Sequence, residues 1–350
     1  MKINLKPINH PSVWYGRDMK LNNEWVMTLD DQDIAELDKA LKNVKLHNLS
    51  VPHIGKADFP IPRLATKLRK VSQELAGRGF VLIRGLPIEK YGIPDAALVY
   101  WGIGSHLGPA FAQNAQGDML CNIKDVGVDW TIDMRARGYQ TNERLPFHND
   151  STDVVGLLCL KTAKTGGESR LVSSTAVHNE FIARRPDLFE IMCQPFYVDR
   201  RGEESGGQRP YYVQPCFNYH AGRPFIRYNR TFIESAQRFE EVPRLTSKHI
   251  QALDLMDELC NDSTIHLSMD FQPGDIQFVC NYVVMHSRSN YEDWPEIERR
   301  RHLLRLWLNI PGFEDLPEAF RDRNEDMKAW QANPRPPIFN MAETSGRLSH

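Results

Sequence analysis

The sequence predicts a mainly β protein with flanking helices, a small helical N-terminal layer packed on a β-rich core of jelly-roll or barrel type. Three observations carry this. Apolar stripes at helical spacing fall before about residue 110. From there onward the texture changes to short apolar or alternating runs between turn residues. No internal repeat or low-complexity tract interrupts the chain.

The elements follow in order. Ile34, Leu37, Leu41 and Val44 recur at helix spacing. Leu64, Leu68, Val71 and Leu75 form a second stripe, stopped by Gly77 and Gly79. Phe80 to Gly85 reads as a buried strand. Pro94 opens a helix carrying Leu98, Trp101 and Ile103, closed by Gly104 and Gly108. Val154 to Leu160 is an inner strand, and Gly166-Gly167 a turn. Thr175 to Cys193 is helical, interrupted at Pro186. Residues 199–210 are charged and Gly-rich, so they read as a surface loop or lid. Thr246 caps a helix striped by Ile250, Leu253, Met256 and Leu259. Leu267, Met269 and Phe271 alternate. Pro273-Gly274-Asp275 then turns the chain into one long strand, Ile276 to His286. A polar connection, Asp293 to Glu298, leads to a strong strand at His302 to Leu308. The last dozen or so residues are polar and expected to fray. The domain reading is an N-terminal extension over 1–75, a core over 76–312 and a C-terminal extension with a flexible end over 313–350.

Composition narrows the function classes. The chain has 350 residues, 41% hydrophobic and 25% charged, ordinary for a soluble globular protein. With 43 basic and 45 acidic side chains, the net charge of -2 argues against an electrostatic nucleic-acid binder. Six cysteines are widely spaced and form no CxxC pair, so neither a zinc module nor a redox dithiol is expected. The N-terminus has no apolar signal region, and no apolar run approaches the ~18 residues of a membrane span. The expectation is a cytoplasmic protein with no membrane partner.

The chemistry-bearing stretch is Leu145-Pro-Phe-His148-Asn-Asp150-Ser-Thr. Side chains at i and i+2 of an extended segment share a face, so one imidazole and one carboxylate can reach one metal ion. A second histidine from elsewhere would complete a two-His-one-carboxylate triad, suited to non-haem Fe(II) with open positions. Alone, the pair equally fits a simple hydrogen-bonded His and Asp. Three further features bear on the choice. His286 ends an apolar strand. Arg301 and Arg305 share a strand face with Leu303 and Trp307, where two guanidiniums would suit a planar carboxylate, or one of the protein's own acids. Lys164-Thr-Gly-Gly-Glu-Ser169 supplies a tight turn and a hydroxyl donor.

In this order and spacing, these features resemble the TauD/TfdA-like Fe(II)- and 2-oxoglutarate-dependent dioxygenases, from roughly residue 75 to 312. The resemblance implies a double-stranded β-helix core of the cupin-like, clavaminate synthase-like kind. It implies Fe(II) held by His148, Asp150 and His286, with 2-oxoglutarate and O2 as co-substrates. The distal carboxylate of 2-oxoglutarate is assigned to Arg305, with a hydrogen bond from Ser169 and support from Arg301. The expected reaction oxidises a C–H bond of a small acidic or amino-acid-like molecule, by hydroxylation or a related step, releasing succinate and CO2.

Substrate-facing candidates are Gln113 and Asn114, in the Gly108 to Asn114 segment, and Arg144, four residues before His148. Arg227 and Arg230 are further candidates for an anionic substrate. The N-terminal residues lack cysteine and read as a packing layer or part of an interface, which leaves a homo-oligomer open. Two other classes compete with this reading. One is a non-catalytic small-molecule-binding jelly roll. The other is a zinc-dependent hydrolase using the same ligands, which gives no reason for the paired arginines.

Overall fold

The computed structural model describes residues 5–129, 133, 136–204, 206–313 and 315–337. The larger of its two main sheets has seven strands. Their order is Val26–Thr28, Phe80–Arg84, Ile276–Cys280, Val154–Lys161, His302–Leu308 and Ala110–Phe111, with Leu120–Ile123 also paired to His302–Leu308. The first pair is parallel and the rest antiparallel. The smaller sheet orders Leu267–Met269, Ser169–Ser173, Val284–Arg288 and Leu145–His148, all antiparallel. Strands of the two sheets together line one internal cavity. This is the double-stranded β-helix with flanking helices.

Helices cover the outer faces. Asp31–Leu46 starts where the Asp30 carboxylate accepts from the backbone of Gln32 and Asp33, satisfying amides that have no intrahelical partner. Pro62–Ala76 buries Leu64, Leu68, Val71 and Leu75, one stripe at helical spacing. These two helices and Ile93–Ser105 build one hydrophobic cluster with the large sheet. Ile93–Ser105 approaches that sheet closely at Gly156, where a Cβ would collide with Tyr100 and Phe278. A second cluster joins the small sheet to Ser174–Arg184, Pro186–Met192 and Ser247–Asn261. Pro186 divides the first two of these helices as expected, because it cannot donate to a continuing helix. Thr246 caps the third, its hydroxyl accepting from the backbone of His249.

One expectation differs from the structure. The run Ile276 to His286 is two strands, not one. Ile276–Cys280 lies in the large sheet and Val284–Arg288 in the small one. The chain crosses between sheets at Asn281-Tyr282-Val283. That corner is pinned by the Tyr282 hydroxyl, which donates to Asp153 at 2.6 Å, and by Asn281, whose backbone N–H donates to the Asp153 carbonyl. Residues 199–210 are a loop as expected, joining Pro195–Asp199 to Tyr211–Pro215 with Gly202, Glu204, Gly206, Gly207 and Arg209 exposed, while Arg200 and Arg201 at its start are buried. The frayed end expected for the last dozen residues lies outside the described residues. Before it, helix Arg321–Trp330 packs into the protein and buries Met327, Trp330 and Asp326.

Candidate active site

The small sheet assembles the triad. His286 stands directly opposite His148 where Val284–Arg288 pairs with Leu145–His148. Asp150 follows two residues beyond the strand, in a loop fixed from several sides. Its own N–H donates to the Asn281 side chain at 3.0 Å. Asn149 donates to the Asn281 and Val284 carbonyls and exchanges hydrogen bonds with the backbone of Tyr228. The corner that splits the apolar run therefore also carries the Asp150 loop.

The three ligand atoms converge. Nε2 of His148 lies 3.8 Å from one Asp150 oxygen, and Nε2 of His286 lies 3.9 Å from the other. All three atoms fall within 4.8 Å of one another. His148 Nδ1 lies 2.8 Å from the Pro146 carbonyl, so Nδ1 carries the proton and Nε2 offers its lone pair. Burial lowers the basicity of both imidazoles, most for His286, pushed down to about 3 with His148 adding to the effect. They are neutral, as metal ligation requires. For Asp150, burial works against the charge, but Arg305, the two imidazoles and the Trp307 indole outweigh it and hold the carboxyl below its ordinary value. The Trp307 N–H donates to Asp150 at 3.0 Å, leaving the other oxygen toward His148. The donor set, two neutral imidazoles and one ionised carboxylate in a buried pocket, fits Fe(II).

Two cavities meet at His148 and Asp150, and the inner of them also takes in His286. The inner one lies between the sheets. His148, Asp150, His286, Ser169, Arg288, Arg301 and Arg305 contribute its polar lining, and Val155, Leu157, Phe271 and Leu303 its apolar walls. The outer one extends from His148 and Asp150 to Arg137, Arg227 and Arg323, and is lined also by Tyr139, Phe196, Tyr212 and Phe232. Tyr139, Leu145, His148, Asp150 and Arg305 face both.

The inner cavity's arginines are not equivalent. Arg305 is engaged: Nε donates to Gln113 at 2.7 Å, Nη1 lies 3.6 Å from Asp150, and the guanidinium stacks 4.6 Å from the Tyr139 ring centroid. Burial works against its charge, yet Asp150 and Tyr139 raise its basicity. Arg301 and Arg288 lie against opposite demands. Each is at most 6% exposed, and neither forms an ion pair among the described residues. Nη1 of Arg301, and Nη1 and Nε of Arg288, are buried with no hydrogen-bond partner. Both guanidiniums pack on Tyr291, at 5.1 Å and 4.8 Å. Burial and then the neighbouring Arg301 charge bring Arg288 down to about 10. Ser169 lines the same cavity, its hydroxyl 3.1 Å from Gln277. Gly167, at φ +79°, leaves room for the Arg301 stem: a Cβ there would come within 3.2 Å of Arg301 Nε.

The remaining candidates divide. Gln113 is buried in the outer cavity and holds Arg305 from both ends, accepting from Nε and donating to the Arg305 carbonyl at 2.7 Å. Asn114 closes a turn with Asp118. Arg144 is exposed and donates to Asn261. Arg230 pairs with Glu234, Asp254 and Asp257 and lines neither cavity. Arg227 does line the outer cavity. Sequence reasoning gave no role to Arg288, although strand parity places it on the face of His286. Tyr139 and Arg323 had no local signal; both reach the site from distant segments.

A double-stranded β-helix with a buried two-His-one-carboxylate set defines the class of non-haem iron oxygenases. The chain belongs to the TauD/TfdA family: the family model described as "Taurine catabolism dioxygenase TauD, TfdA family" matches residues 45–307. It is an Fe(II)- and 2-oxoglutarate-dependent dioxygenase, an oxidoreductase. Over 333 residues it is 34% identical to FR-33289 synthase of Streptomyces rubellomurinus (strain ATCC 31215), covering 93% of this chain and 96% of that one. A taurine hydroxylase-like protein, SAT17, of Stachybotrys chartarum (strain CBS 109288 / IBT 7711) is 28% identical over 352 residues, 95% of this chain and 90% of that protein. Among solved structures, asparagine oxygenase in complex with Fe(II), 2S,3S-3-hydroxyasparagine and succinate superposes with a TM-score of 0.63 at 19% identity, over 82% of this chain and 94% of that one. The non-haem iron oxygenase OrfP with Fe and alpha-ketoglutaric acid gives 0.58 at 14%, over 81% and 93%. These two share the fold.

Proposed function

We propose that His148, Asp150 and His286 hold Fe(II), that the inner cavity takes 2-oxoglutarate and that the outer cavity takes a small acidic or amino-acid-like substrate. The observation that carries this is the meeting of two cavities at His148 and Asp150, the inner one holding all three triad residues and guanidinium nitrogens without partners. A buried cation without an anion is costly. A dicarboxylate whose distal end meets Arg301, with Ser169 and Arg288 beside it, satisfies those donors. Arg301 fits this role better than Arg305, whose Nε donates to Gln113 and whose Nη1 faces Asp150.

When bound, iron and 2-oxoglutarate supply the oxidative decarboxylation that yields succinate, CO2 and the oxidant for a C–H bond. The chain's own residues position and insulate. The Pro146 carbonyl and Trp307 orient two of the ligands. Arg305 offsets the Asp150 charge and walls the triad between the cavities. Phe196, Tyr212 and Phe232 give the outer cavity apolar surface from which a bound substrate displaces water. We place the protein in the cytoplasm on its six free cysteines, five of them buried. No helix among the described residues is long and apolar enough to cross a membrane.

The test is anaerobic titration with Fe(II) and then 2-oxoglutarate. A weak visible charge-transfer band is expected, followed on admitting air by O2 uptake matched to succinate. A protein that retains no metal and shows no band refutes the assignment. Turnover that proceeds with zinc and without O2 would instead mark a hydrolase.

A further inference from the structure

The outer cavity carries a second group of cations that the iron and 2-oxoglutarate reading does not use. Arg227 is 4% exposed, and its Nη1 has no hydrogen-bond partner. Its Nη2 donates to the Ser151 carbonyl at 3.3 Å, and its guanidinium lies 4.2 Å from the Phe320 ring centroid. It forms no ion pair with a carboxylate among the described residues. Arg323 comes from the C-terminal helix and is 6% exposed. Its Nε donates to the Ser151 hydroxyl at 3.3 Å. Two guanidiniums thus converge on one serine, the residue next to Asp150.

The local charges do not cancel. Arg137, Arg227, Arg305 and Arg323 line the cavity against Asp150, Asp199 and Glu203. Asp199 is taken by Arg238 at 2.9 Å. Glu203 is divided between Arg137 at 2.8 Å and Arg323 at 3.2 Å. Asp326 lies 3.6 Å from Arg323 but is also paired with Arg200. Asp150 is the carboxylate assigned to the metal. Burial reduces the basicity of Arg227, and the charge of Arg323 reduces it further. Arg323 shares its carboxylates with Arg137 and Arg200, and Arg227 beside it has none, so an added anion between the two is favoured.

Building on the reading of the outer cavity as the substrate site, we propose that Arg227 and Arg323 form an oxyanion subsite around Ser151, which anchors the substrate's carboxylate, sulfonate or phosphonate group and so sets which C–H bond faces the triad. The substrate class is then a small molecule with a terminal oxyanion. The C-terminal helix is a specificity element, because it supplies one of the two guanidiniums. Arg227 and Arg323 act here by positioning the substrate, not by touching its reacting carbon.

Inorganic sulfate is the first probe, titrated calorimetrically into the full chain loaded anaerobically with Fe(II) and saturated with 2-oxoglutarate, so that the inner cavity is filled. Saturable binding is expected, weakened tenfold or more in both Arg227→Gln and Arg323→Gln and largely restored in Arg227→Lys. Circular dichroism checks that each variant is folded, and Arg323→Gln carries the test if Arg227→Gln is not. Absence of saturable binding by the unaltered chain, or equal binding by Arg323→Gln, overturns the subsite. The second probe is a panel of short carboxylates, sulfonates and phosphonates beside their amides and alcohols, scored for stimulated succinate formation. Stimulation confined to the anionic members, with KM raised tenfold or more in Arg323→Gln, supports the proposal; stimulation by the neutral members with unchanged KM refutes it. Failure of the iron assignment would show as no retained metal and no succinate from any compound, with sulfate still bound by the metal-free chain, so the two readings fail separately.

Discussion

Replacing Arg301 by glutamine tests the assignment of the inner cavity. The side chain is 5% exposed, its Nη1 has no protein partner, and it lies over Tyr291 beside Ser169 in the cavity wall. In the bound state it would form a charge-assisted, desolvated pair with the distal carboxylate of 2-oxoglutarate. Removing one partner of such a pair costs about 2–5 kcal/mol. Arg288 shares the cavity and keeps one cation there, so the lower half of that range applies, about 2–3.5 kcal/mol. At 1.4 kcal/mol per decade this raises the 2-oxoglutarate KM by about 30- to 300-fold. Stability should move the other way or not at all, because no internal ion pair is lost and a buried charge is removed. The assay is succinate formation against 2-oxoglutarate concentration, with a thermal melt on the same preparation. Arg305→Gln is the control. It strips Asp150 and Gln113 of a partner, so it should reduce turnover and iron retention more than 2-oxoglutarate affinity. An unchanged 2-oxoglutarate KM in Arg301→Gln, together with a large rise in Arg305→Gln, would show that the two roles are reversed.

The other expectations are narrower. Asp150→Ala should abolish iron retention, read by metal analysis after gel filtration, while far-ultraviolet circular dichroism stays native; retained stoichiometric iron would exclude Asp150 as a ligand. Trp307→Phe removes the 3.0 Å hydrogen bond to Asp150 and should lower iron affinity by about tenfold, at about 1–1.5 kcal/mol for one buried bond. Gly167→Ala puts a methyl 3.2 Å from Arg301 Nε at positive φ, so it should raise the 2-oxoglutarate KM severalfold and lower the melting temperature. Arg144→Ala and Arg230→Ala alter side chains outside both cavities, and turnover should stay within about twofold.

Much of this site is legible in local pattern. The two-residue spacing of His148 and Asp150, the turn before Ser169 and the four-residue spacing of Arg301 and Arg305 are each set by strand periodicity, which a sequence displays directly. The partner of the first pair is less direct. His286 sits opposite His148 only because the chain leaves the large sheet at Asn281 and enters the small one. A largely apolar run from Ile276 hides that crossing, since both halves are buried and both favour strand. The signal is Asn281 itself, a polar residue that is 1% exposed in the middle of the run, where its side chain has work to do: it accepts from the N–H of Asp150. Arg323 and Tyr139 could not be read at all, because nothing in their own neighbourhoods marks a cavity wall.

The distinction that organises the site is between arginines with a carboxylate beside them and arginines without one. Sequence parity places Arg301 and Arg305 on one face and treats them alike, and an apolar strand makes each look equally in need of an anion. The structure supplies Arg305 with Gln113, Asp150 and a Tyr139 ring, so its charge serves the protein's own electrostatics. Arg301, Arg288 and Arg227 receive aromatic faces but no carboxylate. An aromatic face contributes roughly 0.5–2 kcal/mol to a cation. Desolvating an ion costs several kcal/mol. The difference is a deficit that folding alone does not repair, and it falls on two cavities that meet at His148 and Asp150. An enzyme that must bring two small molecules to one metal needs such a deficit on each side, because it lets each cavity reward an anion without competing for the other's ligand.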